Sequence, residues 1–235
     1  DDHPYLLKKG IKANGAKQYN DALLIPMRAD GDIYSLQFIG PDSQKKFLFG
    51  GRIKGCYFSM GNPNGAAALC IAEGFATGAT IHEATGYPVA IAFNAGNLMA
   101  VAKAMRDKFP DLPLIVCADD DYRTEGNPGL TKATEAARAV GGLLAVPDFG
   151  NNRPDGATDF NDMAQLCGKE ATASAIASAE QVAGTIHQAS DTSAPANNSG
   201  GWPEPQPMTA KTEPEPYPVE ALPDTVRAAV EEVVS

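Results

Sequence analysis

The sequence is short of the residues that build metal knuckles and disulfide frameworks. Its four cysteines, Cys56, Cys70, Cys117 and Cys167, stand far apart with no Cys-x-x-Cys pair, and its three histidines, His3, His82 and His187, are scattered. That pattern excludes a spaced zinc-ligand set or a His-based cluster, so no zinc is expected in this segment, and it fits a reducing, cytoplasmic setting. Long apolar runs are missing as well. Nothing approaches the roughly 18 consecutive apolar residues that a bilayer-crossing helix needs, so no membrane partner is expected. There is no opening signal-peptide pattern, and the start Asp1-Asp2-His3-Pro4, without methionine, suggests an excised fragment or a processed product. Positive charge is in deficit, 19 Lys/Arg against 29 Asp/Glu for a net charge of −10, which on average argues against a polyanionic partner.

What is present is globular. With 235 residues, 43% hydrophobic and 20% charged, the chain has room for one large domain or two small ones. The charge is also unevenly spread. Residues 1–60 carry nine Lys/Arg against six Asp/Glu, a net of +3, whereas residues 61–189 carry eight against fifteen, a net of −7. Residues 190–235 carry two against eight, a net of −6. A basic front and an acidic middle suit polyanion binding beside a carboxylate cluster that holds a metal.

Residues 1–62 read as a small, basic, β-rich module. Residues 22–27 form an apolar strand, Asp30-Gly31 lies in a hairpin turn, and residues 33–39 alternate as the partner strand. From about 66 to 147 the pattern becomes strand and helix in alternation: strands at 67–72, 89–93, 114–118 and 143–146, and helices at 76–85, 98–108 and 130–140. That order predicts an α/β fold, a mainly parallel sheet flanked by helices, with sites outside the carboxyl ends of its strands. A short helix is expected from near Asp159 and an alanine-rich one over 169–183. Residues 189–220, rich in Pro, Ser, Asn, Gly and Glu, read as a disordered linker, and 221–235 as the start of a truncated further domain.

Three acidic sites fall just after strands. Glu73 lies in Ile71-Ala72-Glu73-Gly74-Phe75, Asp119-Asp120-Asp121 follows the strand at 114–118, and Asp159 and Asp162 lie in Thr158-Asp159-Phe160-Asn161-Asp162. On extended backbone Asp119 and Asp121 point one way and Asp120 the other. Two like-directed carboxylates with Glu73 nearby make an oxygen-only, strongly negative pocket whose repulsion a hard divalent ion would relieve. Each piece alone has a plainer reading: a strand-end Glu as a solvated or capping residue, an Asp run as a loop. Their joint arrangement favours a metal. Next to them, Asn127-Pro128-Gly129 opens a helix whose free N–H groups would favour a phosphate, with Gly129 and Lys132 as candidate contacts and Arg123 nearby. Asn94-Ala95-Gly96-Asn97 is a tight loop in which Asn94, Gly96 and Asn97 either approach a nucleotide or simply turn the chain into a helix capped by Asn97.

These residues resemble the Toprim domain shared by DnaG-type primases, topoisomerases and some nucleases. Glu73-Gly74-Phe75 matches its glutamate after the first strand, Asp119 and Asp121 its DxD, and Thr158 to Asp162 its later acidic element. Upstream, Tyr19 to Arg28, Asp30-Gly31 and Gly50-Gly51-Arg52 are similar to the basic N-terminal subdomain of the bacterial primase core. The order of motifs is closest to primases of plasmids, phages and mobile elements, which often fuse the core to a helicase-like region. The family's DGD reads DDD here, and the Asp120 side chain is expected to face away from the metals.

The resemblance implies a Toprim catalytic domain over 63–188 and a DNA primase core that joins nucleotides on single-stranded DNA. It implies Glu73, Asp119 and Asp121 as catalytic residues, and these three with Asp159 as ligands of Mg²⁺ or Mn²⁺. NTPs and a single-stranded template would be the partners, and a helicase region could share the full-length chain. Arg28, Lys45, Lys46, Arg52 and Lys54 are the nucleic-acid contacts expected from the front module. Two alternatives stand beside it: a Toprim nuclease in which metals activate water, and a catalytically silent nucleic-acid-binding module of a replication protein.

Overall fold

The computed structural model describes residues 2–182 and Arg227. The chain opens with a short helix that the sequence pattern did not announce, α1 (Pro4–Lys9). It is set by local chemistry: His3 caps its N-terminus, accepting the Tyr5 N–H, Pro4 takes the first turn, and Gly10 ends it in the left-handed region. An antiparallel meander follows, β1 (Lys17–Tyr19), β2 (Ala22–Ala29), β3 (Asp32–Ile39) and β4 (Lys45–Phe47), paired in chain order. Ala29 pairs with Asp32 across Asp30 and Gly31, both at positive φ, as a two-residue hairpin requires.

The second sheet has six strands: β5 (Phe58–Met60), β6 (Leu69–Ala72), β7 (Val89–Ile91), β8 (Leu114–Cys117), β9 (Leu143–Ala145) and β10 (Glu180–Gln181). Its spatial order is β10-β9-β8-β6-β7-β5; the four central strands are parallel, and both edges are antiparallel. Every residue of β6 and β8 is buried, the reason their sequences are unbroken apolar runs rather than alternations. One face is covered by α3 (Leu98–Lys108) and α4 (Pro128–Ala139), which bury Val101, Met105, Ala133 and Ala137 against Ile71 and Val116. The other is covered by α2 (Phe75–Thr85), α5 (Phe160–Cys167) and α6 (Lys169–Ala177).

The expected α/β class and preceding β-rich module are present, and the differences are local. Helix α4 begins at Pro128 rather than near 130, because Pro fits the first turn and Asn127, at φ 40°, caps it. The alanine-rich helix stops at Ala177, after which the chain turns into β10, an edge strand that the composition disguised. The sequence reading puts residues 58–60 in the front module, yet β5 pairs with β7 in the second sheet. The two sheets pack on each other: Tyr5, Ile25, Met27 and Ile39 share one apolar cluster with Phe58, Phe75, Ala79 and Phe160, while Leu24, Ile33 and Leu36 form a smaller cluster within the first sheet. The linker expected at 189–220 and, Arg227 apart, the further domain from 221 lie outside the described residues.

Polar stitches run along this seam. The Glu83 carboxylate on α2 accepts the Lys12 N–H at 2.7 Å, the Asn14 amide at 2.8 Å, and Lys169 Nζ of α6 at 2.6 Å. Burial works against its charge, but these donors outweigh it and hold its pKa below the ordinary carboxylate value. Its stabilising contribution is therefore fully present above the unfolded pKa and is lost as pH falls through the lower, folded one. Glu83→Gln should cost roughly 1–2 kcal/mol at pH 7 in urea unfolding, and the gap from wild type should close on acidification toward pH 3.

Candidate active site

Strand β6 leads through α2 to β7 on one side of the sheet, while β8 lies on its other side, so the strand order reverses between β6 and β8. Crevices in open α/β sheets form at such points, beyond the carboxyl ends of the strands. The parallel register sets Ala72 beside Cys117, which brings Glu73 and the loop from Asp119 to Asp121 out at the same rim. Four carboxylates converge there. Burial pushes the Asp119 pKa well above the usual carboxylate range, and Asp159, Glu73 and Asp121 push it further. Glu73 is raised by burial and by Asp121, opposed by an N–H from Ala95 and by Lys45. Asp159 is raised by burial and Asp162, opposed by the Asp162 N–H, Lys9 and the Thr77 hydroxyl.

Each acid is held differently. Asp121 Oδ2 accepts the Gly129 N–H at 3.1 Å. Gly129 must lack a side chain, because a Cβ there would strike the Asp119 carbonyl oxygen and lie 2.9 Å from Asp121 Oδ2. Asp159 caps α5: its Oδ1 accepts the Asp162 N–H at 2.8 Å and its Oδ2 the Thr77 hydroxyl at 3.2 Å, while the Asp162 carboxylate returns to the Thr158 N–H at 2.9 Å. Asp119 is the exception. Its Oδ1 is closed off from solvent and has no hydrogen-bond partner. Asp120 is occupied elsewhere: Asn127 donates to its Oδ1 at 2.5 Å, and the Arg153 guanidinium binds its Oδ2 and, at 2.8 Å, its carbonyl. Arg153 in turn lies over the rings of Tyr122 and Phe149. This clamp, which ties the Asp loop to the segment before Asp159, was not legible because Arg153 lies 33 residues from its partner.

The other sequence candidates separate into those at the rim and those committed elsewhere. Asn97 does not offer its side chain to a ligand and does not cap α3. Its Oδ1 accepts the Gly55 N–H at 2.7 Å, and its Nδ2 donates to the carbonyls of Cys56 and Ala92 at 2.9 and 2.8 Å. It thereby pins the front module to the end of β7. A Cβ on Gly96 would meet Asn94 Oδ1 at 3.3 Å, and the loop's contribution to the site is the Ala95 N–H on Glu73, a main-chain contact that no side-chain pattern reveals. The Gly129 N–H is taken by Asp121, and Lys132 pairs with Glu135 at 2.8 Å on the exposed side of α4.

In the front module, Lys45 lies nearest the acids, its Nζ 3.9 Å from where a Gly74 Cβ would be. Phe47 of the same strand meets Phe93 edge-on at 6.3 Å, and Phe93 sits at φ 71°, a strained conformation for a non-glycine residue, at the end of β7. Arg52 lies 3.8 Å over the Tyr34 ring. Arg28 is half-buried, one guanidinium nitrogen donating to the Gly31 carbonyl at 2.8 Å. Lys46 and Lys54 are exposed.

Residues 68–170 match the family model of the Toprim domain. This segment is a Toprim domain. Two Escherichia coli proteins named DNA primase TraC are similar to the chain, at 43% identity over 157 residues and 42% over 161, each covering 62% of it. The chain spans only 15% and 11% of those relatives' lengths. No solved structure matches. Toprim domains generally bind divalent metal ions. Among the described residues no three His, Cys, Asp or Glu side chains are arranged to enclose an ion by themselves. The orphaned Asp119 Oδ1, in a group whose pKa burial and neighbouring carboxylates push up, nonetheless fits a cation completed by ligands from outside the chain.

A raised carboxylate pKa means that the folded state binds the proton more tightly than the unfolded one, so the ionised group destabilises the fold at neutral pH. Asp119→Asn should therefore raise Tm at pH 7 in metal-free buffer; for a chain of this size about 1 kcal/mol corresponds to roughly 2–4 °C. Wild type should gain on this variant as pH is lowered from 8 toward 5. Added Mg²⁺ should raise the wild-type Tm and leave that of the variant nearly fixed.

Proposed function

We propose that the chain is the catalytic core of a DNA primase, joining nucleotides on a single-stranded DNA template. The reading is carried by the unpartnered, enclosed Asp119 Oδ1 at a rim where Glu73, Asp121 and Asp159 converge. The primase name of both relatives supports strand synthesis over phosphodiester cleavage or silent binding. Residues 1–62 would supply the basic front module and 63–188 the catalytic domain; 189–220 would link it to a further domain, a helicase-like region in the full-length protein, and the setting would be cytoplasmic.

Asp119 and Asp121, with Glu73, would hold Mg²⁺ or Mn²⁺, and Asp159 would back them. A bound divalent ion would supply charge neutralisation for the triphosphate and for the attacking and leaving oxygens. The chain's own part is positioning. The Gly129 N–H fixes Asp121, and the Ala95 N–H fixes Glu73. If Glu73 is not spent on the ion, it would instead take the proton of a 3′-hydroxyl as that oxygen attacks the α-phosphate and pyrophosphate leaves. Lys45, facing the acids, would meet the NTP phosphates, with Asn94 and Gly96 lining the approach. Lys46, Lys54 and the stacked Arg52 would neutralise template phosphates, with Arg28 supporting the hairpin beside them.

Incubation with single-stranded DNA, labelled NTPs and Mg²⁺ should give labelled oligonucleotides, and the Asp119→Ala/Asp121→Ala variant should give none while binding DNA at least as tightly. Loss of labelled DNA without NTPs would turn the reading to a nuclease. DNA binding that ignores Mg²⁺, with no product, would turn it to a silent module. Replacing Lys46 and Lys54 together by Ala should lower the slope of log K against log salt by about 1.4 if both neutralise single-strand phosphates.

A further inference from the structure

Immediately after β4, Phe49 stands with 99% of its surface in solvent, against 36% for Phe47 two residues earlier. Single exposed apolar side chains are common, but here the backbone that carries the ring is immobilised on both sides. Gly51 donates to the Leu48 carbonyl at 3.1 Å, and Gly50 has φ 76°, the left-handed conformation that a type II turn requires at its third position. Phe49 is therefore the corner residue. Upstream, Leu48 donates to the Leu36 carbonyl at 2.9 Å; downstream, Gly51 packs on Ser35 with no room for a Cβ, and Arg52 donates to the Tyr34 carbonyl at 3.2 Å while stacking on its ring. The ring is held out by a turn riveted to β3.

The stretch that carries it is of one charge. Between residues 45 and 54 the chain carries Lys45, Lys46, Arg52 and Lys54 and no carboxylate, and Lys45 at one end of this stretch faces the acid cluster. An open aromatic face flanked by cations complements a strand that offers unpaired bases and phosphates together. A duplex hides its base faces, and an apolar protein groove would not call for this density of cations.

We propose that Phe49 is a stacking platform for an unpaired base of single-stranded DNA, with Lys46, Arg52 and Lys54 on the adjoining phosphates. The inference rests on the primase reading for its partner. Stacking on an aromatic side chain tolerates any base, so the platform would guide a template past the carboxylates without fixing its sequence.

The test uses the 235-residue chain with fluorescent oligo(dT) and an abasic deoxyribose-phosphate oligomer of equal length. Phe49→Ala should weaken oligo(dT) binding by roughly 5- to 150-fold, the range expected for losing one base stack. It should leave abasic binding within about two-fold and the salt slope unchanged, since no charge is removed. Phe49→Tyr should restore the affinity. Phe49→Trp, made together with Trp202→Phe, should be quenched by oligo(dT) and not by UTP. Equal oligo(dT) affinity in wild type and Phe49→Ala, equal loss on the abasic strand, or quenching by UTP alone would each overturn the proposal. Failure of the primase reading has a different signature: wild type would form no labelled product from template, NTPs and Mg²⁺, however tightly it holds the strand.

Discussion

Mutual repulsion among carboxylates at one rim of the sheet is the constraint around which the rest is built. Burial raises the proton affinity of Glu73, Asp119 and Asp159, and neighbouring carboxylates raise it further. A fold that minimised its own free energy would spread these groups into solvent. Here the adjacent ends of β6 and β8 force two of the acid segments together, and a glycine at the start of α4 allows the Asp loop to lie close beneath the helix. Backbone N–H groups from Gly129, Ala95 and Asp162 each meet one of the acids. Among these acids, Asp119 alone has an oxygen that is both closed off from solvent and without a hydrogen-bond partner. The instability is thus concentrated at the one position where a cation would relieve most of it.

The middle residue of the Asp run has the opposite role. Asp120 is neutralised by Arg153 and Asn127, and its N–H meets the Thr158 carbonyl at 2.8 Å. Alternation along extended backbone thus divides three identical side chains between two environments. Two face the rim, and one locks the loop to the stretch that carries Asp159. That division explains how a third acid is tolerated where a glycine would do.

Much of this was legible in the residues. The unbroken apolar runs of β6 and β8 announced strands covered on both faces, and acids placed directly after them announced a shared rim. The fold class followed from the alternation of strand and helix. Legibility failed where partners are distant or the contact is main-chain. Asn97 looked like a ligand or a cap because its loop is short, but its partners at Gly55 and Cys56 lie about forty residues upstream. That the Gly129 N–H meets Asp121 is likewise a main-chain contact that no residue pattern reveals. Helix α1 was missed because six residues are too few to show periodicity; capping by His3, Pro4 and Gly10 defines it. Nothing in the residues around Phe49 announces that its ring is exposed, since burial is a property of the folded chain alone.

The apolar cluster that joins Tyr5, Ile25 and Met27 to Phe58, Phe75 and Phe160 has a consequence for descent. Two units with separate interiors can be shuffled between genes as independent cassettes, each bringing its own stability. Units that share an interior must be inherited as a pair, because a foreign partner would leave mismatched cavities along the join. Exchanging the front sheet for a foreign one would therefore disturb the packing beneath α2 and α5 as well, whereas point changes on its exposed face would leave that interior untouched.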